Sequence, residues 1–363
     1  MPDYVTYRDD LEVVEPDEAE TVRKIIDVMT RGQRAVREKH GHAVRISHAK
    51  AHGFLKGELV VDAGLPPELA QGLFARPGRH PAFARLAQVP GEVLDDRRVS
   101  TTRGVSLKVF DARGPKLSGH AADTQDFLLD TGGPAFFVGG TKAFLAAFTP
   151  NATVAPRLPE AVKGVVSTVA KAANLALHAV GLDSAKLDVY GHSDLHPLGE
   201  SYYSQVPIRY GNYVAKVALT PGDAATKALV GRKLNLAGED GLRAATVDFF
   251  RSHAAVFDLS VQLATDPEKM PVEDASVAWP EDLSPYRRVA RLVLPVQDAC
   301  PPARQAFADD RMSFGPHHSL AAHRPLGAIM RARLAVYPEM SRRRHAENAE
   351  PVVEPGGPDE IPD

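Results

Sequence analysis

The sequence predicts an α+β fold in which short strands and amphipathic helices intersperse along the chain, and three observations carry this. Short segments alternate apolar and polar residues with period two, as in Val105, Leu107 and Val109 against Ser106 and Lys108. Longer segments repeat apolar residues at helical spacing, as in Val22, Ile25, Ile26, Met29 and Val36. A chain of 363 residues, 44% hydrophobic and 25% charged, has enough material for a sizeable core, whether in two or three domains or in one large β-barrel.

In chain order, residues 19 to 38 read as an amphipathic helix. Leu55 to Val61 reads as a strand, and Val105 to Phe110 and Tyr213 to Leu219 as half-exposed strands. Ala135 to Val138 reads as a short apolar strand after Pro134. From Glu160 to Val180, the positions Val162, Val165, Val166, Val169, Ala173 and Leu177 predict a helix on the exterior. Residues 255 to 265 form another strand, and 324 to 345 a helix with Pro325 in its first turn. Past Asn348 the tail holds five acidic residues, four prolines and two glycines without periodicity, which predicts disorder. No internal repeat and no phosphate-cradling glycine motif is visible.

Composition narrows the function. A net charge of −3 gives no electrostatic reason to expect nucleic acid or an anionic membrane as partner. Cys300 is the only cysteine, so an intramolecular disulfide and a cysteine-based zinc or iron–sulfur site are excluded. The acidic amino terminus lacks a basic start and apolar run, and no stretch approaches ~18 continuous apolar residues. A cytoplasmic protein is expected.

Two motifs carry chemistry. In Arg333-Leu334-Ala335-Val336-Tyr337-Pro338 an arginine stands four residues before a tyrosine, so on a helix both share one face and the guanidinium favours the phenolate. Free tyrosine titrates near ~10, so a phenolate at neutral pH needs a cation and a metal to hold it. Ferric haem iron is such a metal, with tyrosine as one of its axial ligands. In Arg45-Ile46-Ser47-His48-Ala49-Lys50, His48 is then the acid/base group for peroxide cleavage on the opposite face.

In this order the motifs resemble those of the catalase superfamily, in particular its small branch of catalase-related haem peroxidases, from about His42 to His345. Arg45 to Lys50 resembles the distal histidine signature and Phe83 to Ala87 the strand whose arginine, here Arg85, binds a haem propionate. Arg103 to Phe110 resembles the following strand. Pro134-Ala135-Phe136-Phe137 with Phe144 resembles the apolar wall above the porphyrin. Met270 to Asp274 and Trp279 to Asp282 resemble segments of the small branch. Arg333 to Tyr337 is similar to the proximal motif, with Arg344 at a further propionate-binding position.

The resemblance implies an antiparallel eight-stranded β-barrel with surrounding helices, and haem b between barrel and proximal helix with Tyr337 as iron ligand. It implies an arm and helix over 1–41, a haem-binding domain over 42–347 and the tail over 348–363. Forked guanidinium groups of Arg45, Arg85 and Arg344 suit two propionates. His52 is expected at best behind the distal residues, and His317, His318 and His323 are expected to be structural.

Three positions depart from the family pattern. Thr131 stands where an asparagine orients peroxide, Ala87 where a serine orients the distal histidine, and Ser47 where valine is usual, as in the allene oxide synthase branch. The expectation is a haem peroxidase that reduces hydrogen peroxide or organic hydroperoxides at the expense of an organic reductant, with weak catalase activity. His48, Thr131 and Ser47 are its candidate catalytic residues. The alternatives are a fatty-acid hydroperoxide isomerase or dehydratase, motivated by Ser47, and a non-catalytic haem-binding protein. With little chain before His48 and after Tyr337, a dimer or small homo-oligomer without NADPH is expected.

Overall fold

The computed structural model describes residues 3–178 and 190–363. Helix α1 (Glu18–His40) precedes four strands, β1 (Ala51–Val61), β2 (Gly78–Gln88), β3 (Arg103–Val109) and β4 (Gln125–Asp130). Helices α2 (Thr141–Thr153) and α3 (Glu160–His178) follow, then β5 (Tyr202–Tyr203), β6 (Ile208–Tyr210) and β7 (Tyr213–Pro221). The short α4 (Ala224–Lys227) and α5 (Gly241–Phe250) lead to β8 (Ala255–Leu263) and β9 (Arg287–Leu294), and α6 (Pro302–Ala306) and α7 (Ala328–Asn348) complete the order.

All neighbouring strands run antiparallel, in the order β4-β3-β2-β1-β9-β8-β7. The two-residue β5 pairs on one side with β4, through Asp130 and Tyr203, and on the other with β7, through Tyr202 and Leu219. That closes an eight-stranded barrel and removes the free edges an open sheet would expose. Strand β6 is an extra hairpin partner of β7. Alternate side chains, among them Leu55, Leu59, Leu107, Val217, Leu259 and Leu292, fill the barrel interior.

The strands predicted as half-exposed are covered on both faces. Outside the barrel, Phe54, Phe83, Ala87 and Phe110 form a second core with Met312, Phe314 and Ile361. Lys108, expected to face solvent, is fully buried and pairs with Asp126 at 3.0 Å. Lys216 is equally buried, its Nζ donating to the carbonyls of Pro134 (3.1 Å) and Val277 (3.0 Å) over the Trp279 ring. Period-two alternation reports which residues point outward and is blind to what later chain lays over them.

Other expectations need correction. Ala135 to Val138 is not a strand but a loop, pinned where Phe136 N donates to Ala275 O and Ala275 N to Gly139 O. Pro325 lies outside the last helix, in a bridge with Ile208. The helix begins only after Gly327, whose φ of +85° and whose approach to the Val272 carbonyl leave no room for a Cβ. The tail past Asn348 is packed rather than disordered: Val353 bridges Met312, Ile361 is buried, Glu354 pairs with Lys108, and Asp363 meets Lys56 and Arg304. Two of its acidic residues, Glu354 and Asp363, find buried cations in Lys108 and Arg304, which composition does not reveal. The predicted end of the third helix at Val180 lies outside the described residues. Among the described residues, no helix is long and apolar enough to cross a membrane.

Helix α1 lies across α2 and α7. Gly32 allows the closest approach, since a Cβ there would stand 2.9 Å from the Ala152 carbonyl oxygen. Arg331 of α7 ties this layer down by pairing with Glu12 (2.9 Å), Glu18 (2.7 Å) and Glu273 (2.8 Å), which draw the amino-terminal arm, the start of α1 and the 270s loop onto one guanidinium.

Candidate haem site between the barrel and three helices

A cavity of about 300 Å³ lies between the barrel wall and α1, α2 and α7. That is in the range of pockets for cofactors and small ligands, roughly 300 to 1,000 Å³. His48, Asp130, Val105 and Leu129 line it from the barrel side. Arg333, Val336 and Tyr337 line it from α7, and Ile25, Met29 and Val36 from α1. The α1 face was read from sequence only as amphipathic, and its apolar stripe turns out to serve as cavity wall.

On α7 the arginine and tyrosine meet as the i, i+4 spacing predicts. Arg333 Nη2 donates to the Tyr337 phenol oxygen at 2.9 Å, and its guanidinium carbon lies 5.1 Å from the ring centre. Helix α7 continues through Pro338, directly after the tyrosine.

His48 enters just before β1 with φ +59°, a left-handed conformation uncommon outside glycine. Its own amide donates to Val89 O (2.8 Å) and its carbonyl accepts from Arg85 Nη1 (2.9 Å), so both sides of the unusual backbone are held. The imidazole rests on Gly104 of β3, where a Cβ would come within 2.8 Å of Nδ1. Burial, and then the charges of Arg85, Arg333 and Arg45, push its pKa down to about 3. The ring is therefore neutral at pH 7 and has a lone pair to accept a proton. No described side chain hydrogen-bonds it, and Ala87, at the position of the expected orienting serine, is buried in the outer core. Gly104 thus does by contact part of what a hydrogen bond would do. Gly104→Ala is expected to displace the ring, seen as a shift of the His48 imidazole resonances in NMR spectra. Unshifted resonances in that variant would show that the contact does not position the ring.

At one end of the cavity three arginines gather around Asp309, two on its carboxylate and one on its backbone carbonyl. Arg45 Nη1 donates to Asp309 Oδ1 (3.0 Å), and its Nη2 to the carbonyls of Ala308 (2.6 Å) and Met312 (3.0 Å). Arg85 Nε donates to the same Oδ1 (2.9 Å). Arg344 donates to the carbonyls of Asp309 and, at 2.9 Å, Met312. Burial and the neighbouring Arg85 and Arg344 hold Arg45 well below its usual range, and burial brings Arg344 down to about 10. Three guanidinium groups outnumber the carboxylates of Asp309 and its neighbour Asp310, which leaves positive charge that propionates would help balance. Asp309 and its place in this cluster were not visible in the sequence, because a lone Asp-Asp pair carries no motif; the structure sets it in a π-helical turn, Phe307–Arg311.

The remaining predicted residues divide. Phe136, Phe137 and Phe144 line the cavity with ring centroids 4.5 to 6.1 Å apart. Ser47 also lines it, but its hydroxyl donates to Val89 O at 3.0 Å. Thr131 does not line it: its Oγ1 accepts from Arg103 N at 3.0 Å and it faces β3. The residue at the cavity wall is its neighbour Asp130, the partner of Gly104 on the face of the β3–β4 pair that carries the His48 ring. His52, on β1, is buried with neither ring nitrogen hydrogen-bonded, so it stands behind the site. His318 bonds Asp126 (2.9 Å) and His323 accepts from Leu73 N (2.9 Å), both structural roles, and His317 packs against His318.

The donor set therefore fits haem: a phenol oxygen beside a guanidinium, an apolar slot lined by aromatic rings, a neutral imidazole and an arginine cluster short of negative charge. Similarity to known proteins bears on the fold. The sequence matches no protein-family model and no curated protein. Solved structures do match: catalase A from Saccharomyces cerevisiae at 15% identity and TM-score 0.57, over 87% of this chain and 66% of that one, and a fungal catalase at 17% identity and TM-score 0.56, over 87% and 65%. The chain thus matches about two thirds of the length of these catalases, and it shares their barrel fold.

Proposed function

We propose that this chain, which has the fold of the catalases, is a haem-dependent peroxidase that reduces hydrogen peroxide or organic hydroperoxides with electrons from an organic donor. The observation that carries the reading is the Arg333–Tyr337 hydrogen bond on α7, in the same cavity as a neutral His48. Tyr337 would hold the iron of haem b, Arg45, Arg85 and Arg344 would pair its propionates, and Phe136, Phe137 and Phe144 would pack on the porphyrin. The bound haem would supply the two electrons that a peroxide O–O bond needs to break.

The protein's own part is proton handling and placement. His48, unprotonated at neutral pH, takes the proton from one peroxide oxygen and gives it to the other, which leaves as water or alcohol. Arg333 holds the Tyr337 oxygen in place by donating a hydrogen bond to it. The Phe-lined wall excludes water from the reacting centre. Weak dismutation follows from Thr131 facing away and from an imidazole without a hydrogen-bonded support, because oxidising a second peroxide demands tighter placement than accepting electrons from a bulky donor. The Ser47 hydroxyl is already bonded to the Val89 carbonyl and lends no support to an isomerase reading.

The test is an absorption spectrum of purified, haem-supplied protein together with oxygen evolution and dye oxidation driven by hydrogen peroxide. A Soret band with dye oxidation well above oxygen evolution is expected. A colourless protein would overturn the assignment, and oxygen evolution outrunning dye oxidation would make it a catalase.

A further inference from the structure

On the barrel wall, Asp130 of β4 is the direct partner of Gly104 of β3. Directly opposed residues of an antiparallel pair project to the same face with Cβ positions about 4.5 to 5.5 Å apart. The His48 ring occupies the space over Gly104, so imidazole and carboxyl group stand side by side on one wall, and both line the cavity. Asp130 Oδ1 accepts from Gly132 N at 3.0 Å, and Oδ2 accepts no hydrogen bond from the described residues. Two other polar groups on this wall are already engaged: Thr131 Oγ1 with Arg103 N, and Gln205 Nε2 with Gly133 O at 3.2 Å.

We propose that Asp130, as the neutral acid, is a second catalytic residue: it donates a hydrogen bond to the hydroperoxide oxygen that is to depart, while His48 handles the proton of the other. This rests on the peroxidase reading above. A protonated carboxyl group has the shape of a carboxamide, with one donor and one acceptor, so it can orient peroxide as an amide would. Unlike an amide, it loses the donor when it ionises. The charged and titratable groups facing it are His192 and Glu200 from the segment before β5, Arg333 from α7, and His48. Burial raises the Asp130 pKa to about 7, with Glu200 adding to the rise and the Gly132 N–H, His192 and Arg333 opposing it. The donor is therefore present below about pH 7 and lost above it.

Asp130→Asn and Asp130→Ala in haem-loaded protein test this. Asp130→Ala is expected to slow reaction with hydrogen peroxide about 10²- to 10³-fold, the loss typical of one preorganised donor. Asp130→Asn should recover most of that loss, and its rate should no longer decline through pH 7. Infrared difference spectra, with and without haem, provide a readout independent of turnover: a carboxylic acid band that disappears as pH rises through 7 in the wild type and is missing from Asp130→Asn. Wild-type rates and pH profile in Asp130→Ala, with His48→Ala inactive, would overturn the proposal and leave the peroxidase reading intact. An Asp130 ionised throughout in the infrared would overturn it without reference to activity. Failure of the peroxidase reading shows differently, as a wild type that binds no haem or reduces no peroxide.

Discussion

Tyr337→Phe protein is expected to fold normally and to lose its hold on haem. The substitution keeps the ring, so α7 packs as before, and the unfolding midpoint should stay within about 1 kcal/mol of wild type by denaturant titration. It removes the one oxygen to which Arg333 donates, at 2.9 Å, and with it the proposed iron ligand. A group that merely supports a metal ligand costs about 10- to 100-fold in affinity or activity when lost, so losing the ligand itself should cost more. Haem titration followed in the Soret region measures this. Unchanged affinity and an unchanged spectrum would place the iron ligand elsewhere and remove the basis of the functional reading.

His48→Ala should give the opposite pattern: haem bound as tightly as in wild type, and peroxide-driven dye oxidation reduced about 10²- to 10⁴-fold, the range a positioned acid–base group contributes. The direction follows from the imidazole's environment. With its pKa near 3, the wild-type ring stays a proton acceptor over the whole neutral range, so His48 itself should impose no fall in rate between pH 5 and 8. Any limb near pH 7 then belongs to another group, and Asp130 is the one in the cavity with a pKa there. Undiminished oxidation in His48→Ala would make the protein a passive haem carrier.

How far the sequence reached can be judged residue by residue. Helix α1, the strand at Val105 and the pairing of Arg333 with Tyr337 were legible, because each is set by local periodicity within one element. The burial of Lys108 and Lys216 was not, because the groups that cover them arrive from more than 60 residues away in the chain, as Val277 does over Lys216 and Glu354 over Lys108. The start of α7 was misplaced because Pro325 suits a first turn in isolation, whereas its bridge to Ile208 is a tertiary fact.

The same division runs through the site. Motif order alone marked Arg45, His48, Arg85, Arg344 and Tyr337, since each is carried by fixed spacing along the chain. Which side chain at the end of β4 faces the cavity, Thr131 or Asp130, depends on where the strand stops, and a shift of one residue reverses the face. That Arg45 and Arg85 share the Asp309 carboxylate, and that Asp130 stands beside His48 across the pairing with Gly104, arises from segments brought together by barrel closure. Local spacing fixed the candidate chemistry; only the closed sheet decided which groups stand close enough to act together.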